Sequence, residues 1–328
     1  MLSGLLKALQ GRVAVEDRLP FMAEFRAEFG IKGAVECTEL RKRTDQNGLR
    51  SVYRLSADAQ TFVVKLTEGG ASDVFRAEYE MGARLFEHFQ NVVGLSVPKP
   101  LFFSEKQSFF VSEFIKGSTT DRVIQGSQDQ DKTDRVFTQA GRWLAHLHGM
   151  EAVTETEFWP RFRLQEIKAR LEKGVQGHKA DPSKAQVYLK RLRDKARQVK
   201  GRGGFDVFSH GDFWSSNLIV TPDMACGLDF AYARRRPLSS DFSEFLMVDL
   251  LLPCDGTDLD PSGITGRHLE LFLGGYGAEQ DREVLNFILQ CKLVLEWLRF
   301  TEVAYDKRQG VRKRFHEAER RLDQVLYD

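Results

Sequence analysis

The stretch HGDFWSSN, His210 to Asn217, sets an aspartate and an asparagine five residues apart, and GLDF brings a third oxygen donor, Asp229, twelve residues further on. The surrounding FSHGDFWSSNLIVTPDMACGLDF reads as a strand end, a loop, a strand Leu218 to Val220, the turn TPDM and a second strand Cys226 to Phe230. A hairpin of that kind returns Asp229 to the loop that carries Asp212 and Asn217. Two carboxylates and an amide oxygen suit a hard divalent cation such as Mg2+, which prefers oxygen ligands and keeps several waters; they suit zinc poorly. Each residue alone has an ordinary use. Asn and Asp cap backbone groups at turns, and a lone His210 is more often a hydrogen-bonder of the core than a base. Asp229, between Leu228 and Phe230, is harder to explain in that way, because an unpaired buried carboxylate is costly.

A scaffold for that loop is legible in the rest of the chain. Its 328 residues are enough for two domains, or one two-lobed unit, with a substantial core. Apolar residues at 42 % and charged residues at 29 % are those of a soluble globular protein. A net charge of +1 supplies no overall field toward nucleic acid or an anionic membrane. Cys37, Cys226, Cys254 and Cys291 are widely separated without metal-ligand spacing, which fits reduced thiols in a cytoplasmic protein. Apolar runs such as Phe245-Leu246-Met247-Val248 fall far short of the roughly 18 residues that span a bilayer. The opening MLSGLLKALQGR lacks a small-residue cleavage pattern, and VEDRLPFMAEFRAEFG behind it reads as an amphipathic helix of the fold.

From about Val35 to Ser112 strand signals dominate: VECTELRKRT, RSVYRL and TFVVKL, joined by the turns DQNG and SADAQ, then VPKPLFF and SFFVSEF. Asn47-Gly48 is a strong hairpin signal, since both positions tolerate positive φ. After GGAS breaks the sheet, Phe75, Tyr79, Gly82, Phe86 and Phe89 recur as one buried helix face. Beyond Gly117 the pattern turns helical. Val136, Phe137, Ala140, Leu144 and Leu147 mark one stripe and Leu189, Leu192, Ala196 and Val199 another, and the stretch from DREVLNFILQ to RRLDQVLYD reads as helix throughout. The expected class is α+β: a small antiparallel five-stranded sheet with one helix, followed by a larger, mostly helical body.

HGDFWSSN followed by GLDF resembles the catalytic and metal loops of the aminoglycoside phosphotransferase and choline kinase family, the small-molecule branch of the protein-kinase-like fold. SHGDFWSSNLIV is also similar to the corresponding loop of fructosamine-type kinases. The likeness extends over roughly Leu40 to Leu252. RSVYRL and TFVVKL resemble the second and third strands, FRAEYEMGARLFEHF the helix bearing the glutamate partner of the strand lysine, and SFFVSEFIKGST the hinge. GRWLAHLH resembles the helix that supports the catalytic loop, and SSDFSEFL carries the acid that props it.

The resemblance implies a bilobal protein-kinase-like fold, with residues 1–112 as a nucleotide-binding lobe preceded by N-terminal helices, 113–116 as the hinge and 117–328 as the catalytic and acceptor-binding lobe. It implies transfer of the γ-phosphoryl group of Mg-ATP to a hydroxyl of a small metabolite or sugar-like acceptor. Asp212 would then orient that hydroxyl and accept its proton, while Asn217 and Asp229 hold Mg2+. Lys65 would contact the α- and β-phosphates. Its anchor would be Glu78 in preference to Glu80, because Glu78 borders the buried helix face. The backbone of Glu113, Phe114 and Ile115 would hold adenine. His210 and Asp241 would support the loop, a helix N-cap being the plainer use of Asp241. No glycine-rich loop precedes Lys65, where TDQNGLRS offers Gly48 alone, and Ala231 stands where protein kinases have glycine, which favours a small acceptor over a protein.

The acceptor itself is the faintest signal. Trp159 to Arg202 holds 14 Lys or Arg against 4 Asp or Glu, a local charge of +10, and Arg234 and Arg236 follow the metal strand; together they suit an anionic or sugar-acid acceptor, although a solvated basic helix face explains part of the segment equally well. Asp249, Asp255, Asp258 and Asp260 point the other way, toward a polycationic aminoglycoside. The competing readings are an aminoglycoside O-phosphotransferase, a nucleotide-binding pseudokinase acting as an interaction module, and a metal-dependent hydrolase. The presence of Lys65, Asp212, Asn217 and Asp229 together speaks against the pseudokinase, and the thin supply of histidines near the site against the hydrolase. The expected partner is a small hydroxylated acceptor, with no nucleic acid and no membrane, for a monomer or homodimer.

Overall fold

In the computed structural model the described residues are 19–45, 48–68, 72–106, 108–172, 179–254 and 256–327. The chain divides into two compact units, Met1–Lys116 and Gly117–Asp328. The tip of the hairpin at Gln46 and Asn47, the GGA of the sheet break and the first 18 residues lie outside the described residues.

The first unit is an antiparallel sheet of five strands in the order β1 (Glu36–Asp45), β2 (Gly48–Ala57), β3 (Gln60–Glu68), β6 (Phe109–Glu113), β5 (Pro100–Ser104), with β4 (Leu95–Ser96) outside it. Alternation decides what each face holds. Phe62, Val64 and Leu66 of β3, with Phe109 and Val111 of β6, form one apolar face, and Phe21, Met22 and Phe25 at helix α1 (Met22–Phe29) close over it. Burying a phenylalanine such as Phe25 contributes about 1.5–3 kcal/mol. The opposite parity puts Lys65, Phe103 and Phe110 on the other face. Helix α2 (Ser72–Phe89) covers it, with Phe75 and Phe110 ring centroids 5.3 Å apart and Tyr79 and Phe103 5.5 Å apart. Lys65 is therefore delivered to α2 by the same period that sends its neighbours into the core.

The second unit is mainly helical: α3 (Thr120–Gly126), α4 (Gln130–His148), α5 (Arg161–Glu172), α6 (Pro182–Val199), α7 (Ser239–Leu246), α8 (Gly266–Tyr276), α9 (Arg282–Leu298), α10 (Glu302–Lys307) and α11 (Gln309–Leu326). Helix α9 is the central strut, apolar and buried on nearly every side, and α5, α6, α7 and α11 pack around it. The C-terminal stretch is not one continuous helical run: it breaks after Leu298, and again at Arg308, where the backbone turns extended. A three-stranded antiparallel sheet, β7 (Thr154–Glu157), β8 (Gly203–Ser209) and β11 (Arg234–Pro237), was not expected from the pattern, because β7 and β11 are almost wholly exposed and carry no apolar alternation. Strand β8 feeds the HGDFWSSN loop, and the hairpin β9 (Leu218–Val220) and β10 (Ala225–Gly227) follows it. β10 is shorter than expected. Leu228–Phe230 leave the ladder because Asp229 has φ 65°, a left-handed conformation that a strand cannot contain but aspartate tolerates. No described helix is long and apolar enough to cross a membrane.

Candidate active site

The loop after β8 is built on a glycine and a buried carboxylate. Gly211 has φ 78°, and a Cβ there would lie 2.3 Å from the carbonyl oxygen of Tyr232, so only glycine lets the two backbones approach. Asp241, fully buried in the first turn of α7, accepts the backbone N–H groups of His210 at 2.8 Å and Gly211 at 3.0 Å. It is not the N-cap of α7, a position held by Leu238. Its third donor is His148 Nε2, 3.0 Å away at the end of α4, whose Nδ1 meets the Tyr276 hydroxyl at 3.0 Å. Burial alone would raise the Asp241 carboxyl, yet the hydrogen bond and charge of His148, with help from His210 and Ser209, hold it below the ordinary range.

His210 ties the loop to the segment that carries Asp229. Its Nε2 lies 3.0 Å from the Leu228 carbonyl and the Asp212 N–H points to Nδ1 at 3.4 Å, the pattern of a neutral ring donating from Nε2. Burial pushes its pKa down in agreement with that form. The Leu228 N–H donates to the Asn217 carbonyl at 2.8 Å, closing the circuit. Beneath it Trp143 stacks on Phe213 with centroids 5.3 Å apart, and Gly227 admits that indole, since a Cβ there would sit 2.0 Å from it.

Asp212 and Asn217 are brought together on this frame, and the charge of Asp229 is felt at both Asp212 and His210. The Asn217 carboxamide nitrogen donates to the Asp212 carbonyl at 2.8 Å and to its carboxylate at 3.3 Å, which turns the amide oxygen away from Asp212. Burial raises the Asp212 carboxyl, and the neighbouring charge of Asp229 raises it further, against the opposing influence of His210, Asn217 and Trp214. A carboxylate whose ionisation the neighbouring Asp229 opposes, beside the Asn217 amide, forms with Asp229 a donor set whose chemistry fits a hard divalent cation. Among the described residues no group of three His, Cys, Asp or Glu is placed to hold a metal.

In the first unit Lys65 Nζ lies 2.5 Å from Glu78 Oε1, while Glu80 is exposed. Glu78 is 7 % exposed. Glu113 is the last residue of β6, and its N–H donates to the Lys99 carbonyl at 2.9 Å; Phe114 lies under Arg54, and Phe114 and Ile115 belong to no strand.

The acceptor candidates are dispersed. Arg236 donates to the Gly211 carbonyl at 3.2 Å and so braces the loop; Arg234 is exposed on β11 opposite Ser209. Asp255 lies outside the described residues. Its acidic companions are engaged within the fold. Asp249 is fully buried, paired with Arg321 and with His268 Nδ1 at 2.5 Å; although burial opposes ionisation, Arg321 holds it well below the usual carboxylate range. Asp258 accepts the Gly266 and Arg267 N–H groups, through its carbonyl and its carboxylate, and Asp260 pairs with Arg282 at 2.7 Å. The acidic strip is thus an internal brace.

Glu244, one turn beyond Asp241, was not singled out in the sequence. Its Oε2 accepts the Phe213 N–H at 3.0 Å, and burial pushes its carboxyl up to about 7, with Lys292 opposing. A carboxyl raised by folding disfavours the native state when ionised, so the penalty is full above about pH 7 and fades as pH falls toward the ordinary 4.5. Glu244→Gln is accordingly expected to be more stable than the parent at pH 8, by up to about 3 kcal/mol, and equal to it below about pH 4.5. Denaturant midpoints at the two pH values check this, and equal stability at pH 8 would refute it.

The chain matches the model of the phosphotransferase enzyme family over residues 43–274. No curated protein matches it. Among solved structures its fold is similar to that of macrolide 2'-phosphotransferase MphH from Brachybacterium faecium, at 15 % identity over 94 % of this chain and 98 % of that one, with a TM-score of 0.51. It is likewise similar to a choline/ethanolamine kinase family protein from Mesorhizobium loti, at 15 % identity over 97 % and 98 % of the two chains and a TM-score of 0.54. A third is the amicoumacin kinase hAmiN, determined with AMP-PNP, Ca2+ and Ami, at 18 % identity, 94 % and 96 % coverage and a TM-score of 0.54. At these identities the likeness is one of fold.

Proposed function

Because the chain belongs to the phosphotransferase enzyme family, whose model spans residues 43–274, we propose that it is an ATP-dependent small-molecule kinase that moves the γ-phosphoryl group of Mg-ATP to a hydroxyl of a sugar-like or other small metabolite. The observation that carries this reading is the pairing of Asp212 with Asn217 on a loop braced by Asp241, with the charge of Asp229 acting on Asp212 from the segment after the hairpin. Phosphoryl transfer passes through a loose transition state and asks the protein mainly for positioning and charge stabilisation. A rigid loop with a raised carboxyl answers the first need. Asp212 orients the acceptor hydroxyl and takes its proton as the new O–P bond forms and the bond to the ADP oxygen breaks.

Asn217, through its amide oxygen, and Asp229 would hold Mg2+. When bound, the ion supplies neutralisation of the phosphate oxygens. Lys65, held extended by Glu78, serves the α- and β-phosphates as a point charge. With the Glu113 N–H already donating to Lys99, adenine recognition falls to the Glu113 carbonyl and the backbone of Phe114 and Ile115. That one fold neighbour was determined with AMP-PNP and another with streptomycin and ATP supports a nucleotide co-substrate and a small-molecule acceptor.

Purified protein incubated with Mg-ATP and panels of sugars, amino alcohols, aminoglycosides and sugar acids is expected to release ADP with at least one class. Asp229→Ala is expected to abolish magnesium-dependent nucleotide binding. Undiminished Mg-ATP affinity in that variant would remove Asp229 from the metal site, and a parent protein that neither binds Mg-ATP nor releases ADP with any acceptor would end the kinase reading.

A further inference from the structure

Beside Asp212 the second unit carries cations that the proposed phosphoryl chemistry does not use. Trp214, two residues beyond Asp212, has Lys292 Nζ 4.6 Å from its ring centroid and the Arg299 guanidinium carbon 5.5 Å from it. Its indole N–H is among the groups that hold the Asp212 carboxyl down, so the ring meets the acid by its edge and two cations by its face. Lys292 and Arg299 stand seven residues apart, two turns along one face of α9 and its C-cap.

The two cations are not equally committed. Arg299 is held by Glu296 at 2.7 and 2.9 Å, and Arg314 reaches the same carboxylate at 3.3 Å. Lys292 makes no hydrogen bond or ion pair with any described residue, although its stem is largely buried and burial lowers its pKa. The other charges facing it are Glu244 on α7, Glu296 on its own helix, and Arg163 and Glu166 on α5. An ammonium kept in such surroundings is costly unless an anion completes it. A cavity of about 430 Å³ lies along the same helices, lined by Ile288, one turn before Lys292, with Ser240, Arg163, Phe158, Trp159 and Phe162.

We propose that Lys292, poised over Trp214, recognises an anionic group, a carboxylate or a phosphate, on the acceptor whose hydroxyl Asp212 receives, and that Lys292 and Arg299 together disfavour cationic acceptors. This rests on the small-molecule kinase reading and deepens it by naming the acceptor's charge. Discrimination comes from both directions: an anion completes a poorly paired ammonium, and an amino group at the same place meets two like charges.

The test is equilibrium titration of the full chain, by calorimetry, with four probes of one carbon skeleton: a hexonate, a hexose phosphate, the hexitol and a hexosamine. At least one anion is expected to bind about tenfold or more tightly than the hexitol, and the hexosamine more weakly than either. Which anion binds decides between carboxylate and phosphate. Lys292→Met is expected to lose about tenfold in affinity for that anion with hexitol binding unmoved, and Lys292→Arg to retain most of it. A hexitol or hexosamine bound as tightly as both anions, no anion binding up to about 50 mM, or a Lys292→Met variant that binds anions like its parent would each overturn the proposal. The comparison of probes on the parent protein stands even if the variant fails to fold. Mg-ATP binding, measured separately, distinguishes the two levels: its absence counts against the kinase, whereas its presence without anion preference counts against this subsite alone.

Discussion

Asp212→Asn is expected to lower phosphoryl-transfer turnover by about three orders of magnitude while leaving Mg-ATP affinity within about twofold of the parent. The asymmetry follows from what the side chain touches. Asn217 reaches residue 212 mainly through the backbone carbonyl, at 2.8 Å, and only at 3.3 Å through the carboxylate. An isosteric amide therefore keeps the loop closed and removes the one thing an amide cannot do, which is accept a proton. The loop is also secured independently, by Asp241 on the His210 and Gly211 N–H groups and by Glu244 on the Phe213 N–H. Burial, and then Asp229, raise the Asp212 carboxyl above its ordinary 3.8, so the acid limb of kcat/KM against pH is expected above that value in the parent. Single-turnover rates with the best acceptor of the panel check the claim. Turnover above about a tenth of the parent's would show that Asp212 is not the base.

What the sequence disclosed, and what it did not, divides along the range of the interactions. The sheet of the first unit was legible because its information is local: alternation in TFVVKL places Lys65 opposite Phe62, Val64 and Leu66, and helix periodicity places Glu78 beside the buried face. HGDFWSSN was legible for the same reason, as a short run of unusual composition. Asp229 was located to the right neighbourhood but on the wrong backbone, because nothing in GLDF signals that the ladder stops at Gly227 and that the aspartate turns left-handed. The β7 and β11 strands left no trace, since TETE and RRRP have no apolar face to alternate. The acidic residues from Asp249 to Asp260 pointed toward a polycationic acceptor, and only the fold shows Arg321, 72 positions away, neutralising the first of them. The platform of Lys292 and Arg299 on Trp214 is likewise a product of tertiary packing between a loop and a helix remote in the chain. Charge in a sequence is visible, whereas the partner of that charge is not.

Asp241→Ala is expected to lower the stability of the protein by about 3–5 kcal/mol, a fall in Tm on the order of 10 °C. Three donors meet this carboxylate within 2.8–3.0 Å, the N–H groups of His210 and Gly211 and His148 Nε2, and the carboxylate, His210 and His148 are buried. Removing the acceptor leaves the His210 N–H and His148 Nε2 buried and unpaired, at about 1–3 kcal/mol apiece before relaxation, while the Gly211 N–H keeps the Ser209 hydroxyl at 3.1 Å. Asp241→Asn keeps one acceptor oxygen but turns an amino group toward one of the donors, so it should fall between the parent and the alanine variant. The folded-state pKa of Asp241 lies below its ordinary 3.8; its contribution is fully present above that value and is lost as the pH falls through the lower, folded-state one. The gap between parent and Asp241→Asn should accordingly persist from pH 8 to pH 5 and narrow only in stronger acid. Because the same carboxylate holds the backbone on either side of the peptide leading to Asp212, turnover measured well below both melting temperatures should fall about tenfold or more with the nucleotide KM little changed. Melting curves at pH 8, 5 and 3, read beside kcat at low temperature, separate the two effects. An Asp241→Ala variant that melts like the parent and turns over at its rate would show that the loop before Asp212 is held by other means.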